Sequence, residues 1–379
     1  MKTKPKFETL AIKSTENNFI DSTPVSTPIY LSSTYKRNVD GSYTNDFIYS
    51  RHDNPNRNIL EHSIAQLEKG KFAFAFSSGM AAIHAVFQSL KSGDHIILPD
   101  DIYYAIKNLL SEVFNRWKIT YDLVDMSDLS AIQKAIKPRT SLIWVETPSN
   151  PLLKISDVSK IAKLAHSNNA LCCVDNTWAT PVLQNPLVLG ADIVMHSSTK
   201  YFGGHSDVIG GCLVLNKVVL AKTIKSIQLL SGAVPSPFDC WLITRGLQTL
   251  HLRFMKQTEN AFKLAQYLEN HSEIEKVNYP GLISHPQHLT AKKQQTNGYG
   301  AMLSVLVKGN EKKAFELATK LKYFTPATSL GGVESLVEHR KSVEGENSTT
   351  PANLLRISVG IEHIDDLIAD WKQALTNLM

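Results

Sequence analysis

Between about residue 60 and residue 240 the chain alternates short apolar runs with stretches of helical spacing. The apolar runs predict strands at 72–76, 95–99, 118–125, 141–145, 170–175, 192–196 and 209–215. Helical spacing falls between them, at 80–90, 103–117, 129–136 and 156–166, with Ser156 a candidate N-cap. Strand and helix in alternation predict an α/β fold with a mostly parallel sheet and helices on both faces. A long helical stretch, about 238–270, then leads to a smaller α+β region with strands at 301–307 and 354–359 and a helix at 311–321. Residues 1–58 are rich in Ser, Thr, Asn and Pro without sustained periodicity and read as an arm. The expected organisation is therefore an arm (1–58), a large domain (59–240) and a small C-terminal domain (241–379). The stretch 344–351 reads as a loop and a candidate for mobility.

Bulk composition narrows the class. A length of 379 residues holds about two domains of ~100–200 residues. Forty Lys+Arg against 35 Asp+Glu, with no basic block, do not point to nucleic acid. The first thirty residues hold no apolar signal core and no run approaches a membrane span, so the expectation is a cytoplasmic protein without a membrane segment. Cys172 and Cys173 are adjacent on a predicted strand and should face opposite ways, while Cys212 and Cys240 stand alone; no metal site follows, and reduced, packed thiols are expected.

In a doubly wound sheet, ligands bind beyond the carboxyl ends of the strands. Ser77-Ser78-Gly79, Asp100-Asp101, Glu146, Asp175 and Lys200 all fall at such ends. Lys200 follows Ser197-Ser198-Thr199 and precedes a glycine-containing run, and a lysine so placed can form an imine beside a phosphate. That chemistry belongs to pyridoxal 5'-phosphate (PLP). Each service the cofactor needs has a candidate, and each candidate has a plainer reading. Gly79 and Met80, opening a helix, can offer backbone N–H groups to the phosphate, or form an ordinary βα turn. Ser197 and Thr199 can add hydroxyl donors or merely cap a strand end. Asp175 can pair with the ring nitrogen or cap a helix. Tyr103 can stack on the ring or belong to the core. Arg356, inside an apolar strand, requires an anion, either a substrate carboxylate or a structural Asp or Glu.

Taken together the motifs resemble one family, the Cys/Met-metabolism PLP-dependent enzymes, which include cystathionine synthases and lyases. The resemblance runs from about Thr9 to Glu362. It rests on Tyr49-Ser50-Arg51, Ser77-Ser78-Gly79-Met80-Ala81-Ala82-Ile83, Glu146-Thr147-Pro148-Ser149-Asn150-Pro151, Val174-Asp175-Asn176-Thr177 and the Lys200 run. Ser236-Pro237-Phe238-Asp239-Cys240-Trp241-Leu242, Ser329-Leu330-Gly331-Gly332-Val333-Glu334-Ser335-Leu336 and Leu355-Arg356-Ile357-Ser358-Val359-Gly360-Ile361-Glu362 extend it.

The resemblance implies a fold type I (aspartate-aminotransferase-like) large domain and a homo-oligomer, usually a tetramer built from two dimers. It implies Lys200 as the cofactor lysine and Asp175 at the ring nitrogen, with Gly79, Met80, Ser197 and Thr199 at the phosphate. Tyr103 would stack on the ring with Asn150 near the cofactor's phenolic oxygen. Arg356, assisted by Ser329, would bind the substrate carboxylate, and Leu330 would help set the reaction. Tyr49 and Arg51 would reach the phosphate of the neighbouring subunit. Small amino acids are the implied substrates.

The Ser329–Glu334 form is similar to γ-synthases and γ-lyases, whereas bacterial β-lyases carry an aromatic residue at the Leu330 position. Ala105 stands where methionine γ-lyases have cysteine. The expected reaction is γ-replacement on an O-acylhomoserine by cysteine. The alternative is a cystathionine β- or γ-lyase, and a non-catalytic binder is a third reading. Two departures bear on substrate choice: Tyr104 where the family has a small residue, and 337–346 where it has a proline-containing Ser-Met-Thr-His segment. Arg340 or Lys341 is a candidate to receive an anionic distal group, set against a solvated charged loop at 339–344.

Overall fold

The computed structural model describes residues 5–15, 24–345, 348–376 and 378. Seven strands form the larger sheet: β1 (Phe72–Phe76), β2 (His95–Pro99), β3 (Thr120–Val124), β4 (Thr140–Glu146), β5 (Leu171–Asp175), β6 (Ile193–His196) and β7 (Gly211–Leu215). Their order is β1-β7-β6-β5-β4-β2-β3. β7 runs antiparallel to both neighbours, and the other pairs are parallel.

Apart from the partly exposed edge strand β3, the strands are buried on both faces, and period-two alternation sorts their side chains between two apolar layers. Ile96, Leu98, Leu142, Trp144 and Cys173 enter one layer, and Ile97, Ile143, Val145, Cys172 and Val174 enter the other. All four cysteines are free and buried, with Cys172 and Cys173 on opposite faces as expected.

The smaller sheet holds β8 (Ile274–Asn278), β9 (Met302–Val307), β10 (Thr325–Pro326), β11 (Leu336–His339) and β12 (Leu354–Ser358), in the order β10-β11-β12-β9-β8. Its core includes Tyr279, Phe324 and Trp371, the last from the helix Ile364–Thr376.

Several local expectations need correction. Asp157, not Ser156, caps the helix Val158–Ser167, accepting from Lys160 N–H at 3.1 Å. Continuous helix at 103–117 breaks into three short turns, Tyr104–Asn108, Leu109–Val113 and Phe114–Trp117. The long helix is two, Pro237–Gln248 and Leu250–Glu269, joined at Thr249. The expected limits at 58 and 240 fall inside the helices Pro55–Leu67 and Pro237–Gln248. The arm also contains a short helix, Phe7–Lys13, whose Ala11 joins the core beside Leu60 and Ile64. Of the 344–351 loop, residues 346 and 347 lie outside the described residues. Helix Arg340–Glu344 directly continues β11, so the charged segment is not a solvated loop.

Among the described residues, no helix is long and apolar enough to cross a membrane.

Candidate active site

The carboxyl ends of β4, β5 and β6 open onto a cavity of about 350 Å³, closed on the far side by the loop before β11 and by β12. That volume suits a small organic ligand.

Lys200 sits four residues beyond the end of β6 and lines this cavity. Its Nζ donates to Ser329 Oγ at 2.6 Å. Burial, with help from the nearby Arg356 and Arg340 charges, pulls its amine down to about 8. Ser329 reaches Lys200 from a backbone with φ 83°, a left-handed conformation that costs a non-glycine residue energy. The same turn aims the Ser329 carbonyl at Arg356 Nη2, 3.1 Å away.

Asp175 closes β5 deep in the molecule yet open to the cavity. Burial raises its carboxyl, against the hydrogen bond from Thr177 N–H (2.9 Å) and the nearby His196. Among the described residues no arginine or lysine forms an ion pair with it. A ring nitrogen carrying a proton would complete this carboxylate.

Gly79 opens the helix Gly79–Gln88, and Ser78 Oγ caps the Ala81 N–H at 3.1 Å. The N–H groups of Gly79 and Met80 are thereby left for a ligand at the positive end of the helix. A Cβ at residue 79 would stand 3.1 Å from both Cβ and Oγ of Ser197, so glycine permits the close approach. Ser197 and Thr199 line the same corner, although the Thr199 hydroxyl also binds Gly210, accepting from its N–H at 3.0 Å. A buried lysine, an unpaired carboxylate and an anion-binding helix start around one cavity fit pyridoxal phosphate.

Arg356 is 4 % exposed and donates through Nη1 to Asn150 Oδ1 at 3.1 Å. It also meets the carboxylate that the plainer reading required: Glu338 Oε2 lies 2.5 Å from Nη2. Glu338 faces Arg356 in the β11–β12 register, a cross-strand pair of opposite charge. Burial still draws the guanidinium down to about 10.

Tyr103, Leu330 and Asn150 also line the cavity. Tyr49 and Arg51 do not: they border a separate cleft with Asn54 and Ser236, and the Arg51 guanidinium lies 5.7 Å from the Tyr49 ring.

Sequence reasoning missed Glu338, Thr177 and Trp178. Glu338 was hidden because its segment looked like a charged loop, although Leu336-Val337 ahead of it carries a strand signal. Thr177 had a signal in the Asp175-Asn176-Thr177 run; its Oγ1 accepts from Ser197 N–H at 2.9 Å and ties the ends of β5 and β6 together. Trp178 had none. Glu146, noted only as a strand end, is buried and its carboxyl is pushed well up, first by burial and then by Asp175 and Asp101.

Fold and site together define a PLP-dependent enzyme with its cofactor site at the carboxyl edge of a mostly parallel sheet. A family profile described as "Cys/Met metabolism PLP-dependent enzyme" matches residues 8–376, and the chain belongs to this family. It is 48 % identical over 357 residues to a cystathionine gamma-synthase of Mycobacterium tuberculosis, covering 93 % of this chain and 92 % of the relative. It is equally 48 % identical over 359 residues to a cystathionine beta-lyase of Lactococcus lactis, covering 93 % and 94 %. The crystal structure of metB from Corynebacterium glutamicum superposes with a TM-score of 0.96 at 43 % identity, covering 99 % of both chains. The chain is thus a PLP-dependent trans-sulfuration enzyme, and equal identity to a synthase and a lyase does not choose the reaction.

Proposed function

We propose that the enzyme catalyses γ-replacement on an O-acylhomoserine, with cysteine as the thiol and cystathionine as product. In that reaction the substrate Cγ–O bond breaks, a Cγ–S bond forms, and the acyl group leaves as a carboxylate while the thiol gives up its proton. The observation that carries this reading is the Ser329-Leu330 wall: aliphatic Leu330 borders the cavity, and Ser329 Oγ holds the Lys200 amine.

The bound cofactor supplies an electron sink for charge developing at the substrate α-carbon. Lys200 would hold the cofactor through Nζ, and its free amine would take the α-proton and move protons along the substrate chain. Asp175 would keep the ring nitrogen protonated. Gly79, Met80, Ser197 and Thr199 would bind the phosphate, Tyr103 would face the ring, and Asn150 would serve its phenolic oxygen. Arg356 orients the substrate carboxylate, with Ser329 fixing both Arg356 and Lys200.

The alternative is elimination from cystathionine, releasing a thiol, ammonia and a 2-oxo acid; the equal likeness to a β-lyase keeps it in view. Pure enzyme with O-succinyl- or O-acetylhomoserine plus cysteine should yield cystathionine. Rapid 2-oxo acid release from cystathionine, with no cystathionine synthesis, would establish the lyase instead.

We further propose a cytoplasmic homo-oligomer, a tetramer of two dimers, in which Tyr49 and Arg51 reach the neighbouring subunit's cofactor phosphate. Their exposure and distance from the cavity of their own chain support this. Light scattering should give a multiple of 42.1 kDa; a monomer that retains cofactor and activity would exclude it.

A further inference from the structure

The two departures from the family pattern, Tyr104 and Arg340, meet in the folded chain. Both line the cavity, and the Arg340 guanidinium carbon lies 5.9 Å from the centre of the Tyr104 ring. An aromatic face at that range attracts a cation and steadies its plane. Arg340 is 3 % exposed. Its Nε donates to Glu344 Oε1 at 2.8 Å, and its Nη1 to Glu338 Oε2 at 3.3 Å, the oxygen already shared with Arg356. Glu344 is in turn fixed by Ser348 Oγ (2.5 Å) and Thr350 Oγ1 (2.7 Å). Arg340 Nη2 is buried and has no hydrogen-bond partner. Buried donors are nearly always satisfied, so an unpartnered one on a residue that lines a ligand cavity is a place where a ligand acceptor could complete the set. Lys341, the other candidate, does not line the cavity.

We propose that Arg340 is a specificity-determining residue: its Nη2 receives a carboxylate at the distal end of the substrate, beside Tyr104. The inference rests on the reading of Lys200 and Arg356 as the substrate site. It names one chemistry with two sources. The carboxylate belongs either to the acyl group, as in a succinyl ester, or to the amino acid joined through sulfur, as in cystathionine.

The test uses cofactor-loaded Lys200→Ala protein, titrated by calorimetry with two ligand pairs. O-Succinyl- against O-acetylhomoserine tests the acyl carboxylate, and cystathionine against S-ethylhomocysteine tests the thiol-derived one. In at least one pair the carboxylate-bearing ligand should bind about 10- to 100-fold more tightly, the range of a charge-assisted contact. Adding Arg340→Met should cut that preference to less than about threefold while the neutral ligands shift little. No preference in either pair, or a preference that survives Arg340→Met, overturns the proposal. Because that change leaves Glu344 without its cation, the Arg340→Met/Glu344→Gln pair repeats the measurement in a charge-balanced background. Continued turnover in the Lys200→Ala protein would instead overturn the role of Lys200. The affinity ratios do not depend on whether the enzyme replaces or eliminates.

Discussion

Lys200→Ala is expected to lower turnover by about 10²- to 10⁴-fold, the range of a lost general base, while leaving the fold intact. The cofactor-loaded protein should absorb near ~420 nm through its bond to Lys200 Nζ, and the variant should lose that band. The fold should survive because, among the described residues, Lys200 makes one side-chain hydrogen bond, to Ser329, and no ion pair. The cavity also imposes a pH dependence. With its amine drawn down to about 8, the freed lysine is mostly protonated at pH 7 and becomes a competent base as pH rises through 8. The rate of α-proton removal should therefore climb over that interval, whereas an ordinary lysine would climb only near pH ~10.4. Circular dichroism, the visible spectrum and single-turnover rates across pH 6.5–9 make the comparison. A variant that keeps its visible band and its rate would remove Lys200 from the mechanism.

Arg356→Met is the second large effect, and it acts on binding and stability together. Loss of the guanidinium removes the cation proposed for the substrate carboxylate, and KM should rise by about 10- to 100-fold, the size of a charge-assisted contact. It also strips Glu338 of a partner 2.5 Å away in a buried setting. Breaking a buried pair on one side costs about 3–5 kcal/mol when nothing else compensates. Arg340, at 3.3 Å from the same oxygen, reduces that cost. The melting temperature should drop, and adding Glu338→Gln should restore much of it by removing the unpaired charge. KM should stay high in the double variant. If Glu338→Gln rescued KM as well, Arg356 would be a counter-ion for Glu338 and not the substrate's cation.

The legible parts of the site share a property: each lies at the end of a short local pattern. Asp175 follows four residues of apolar strand, Lys200 comes just past another, and Gly79 stands where a strand turns into a helix. Such positions project to one edge of a parallel sheet whatever the details of packing, so Lys200, Asp175 and Gly79 were brought together as expected. The helical reading failed where local spacing was ambiguous. At 103–117 apolar residues are spaced for a helix, yet the chain departs from regular α geometry after Asn108. At 238–270 the break at Thr249 carries no proline or glycine signal at that residue.

The sequence by itself determined the class of fold and the cofactor, and it nominated the residues proposed to serve it, because these follow from strand ends, turn chemistry and ordered motifs along the chain. The charge ladder Arg356–Glu338–Arg340–Glu344 and the contact of Arg340 with Tyr104 were decided only by the tertiary structure. They depend on which residue of β11 faces which residue of β12, and on the short helix Arg340–Glu344 meeting Tyr104 at the start of the helix Tyr104–Asn108. Register and burial of that kind arise from pairing between segments far apart in the chain, where a run of charges reads the same whether it is bathed in water or closed over a substrate.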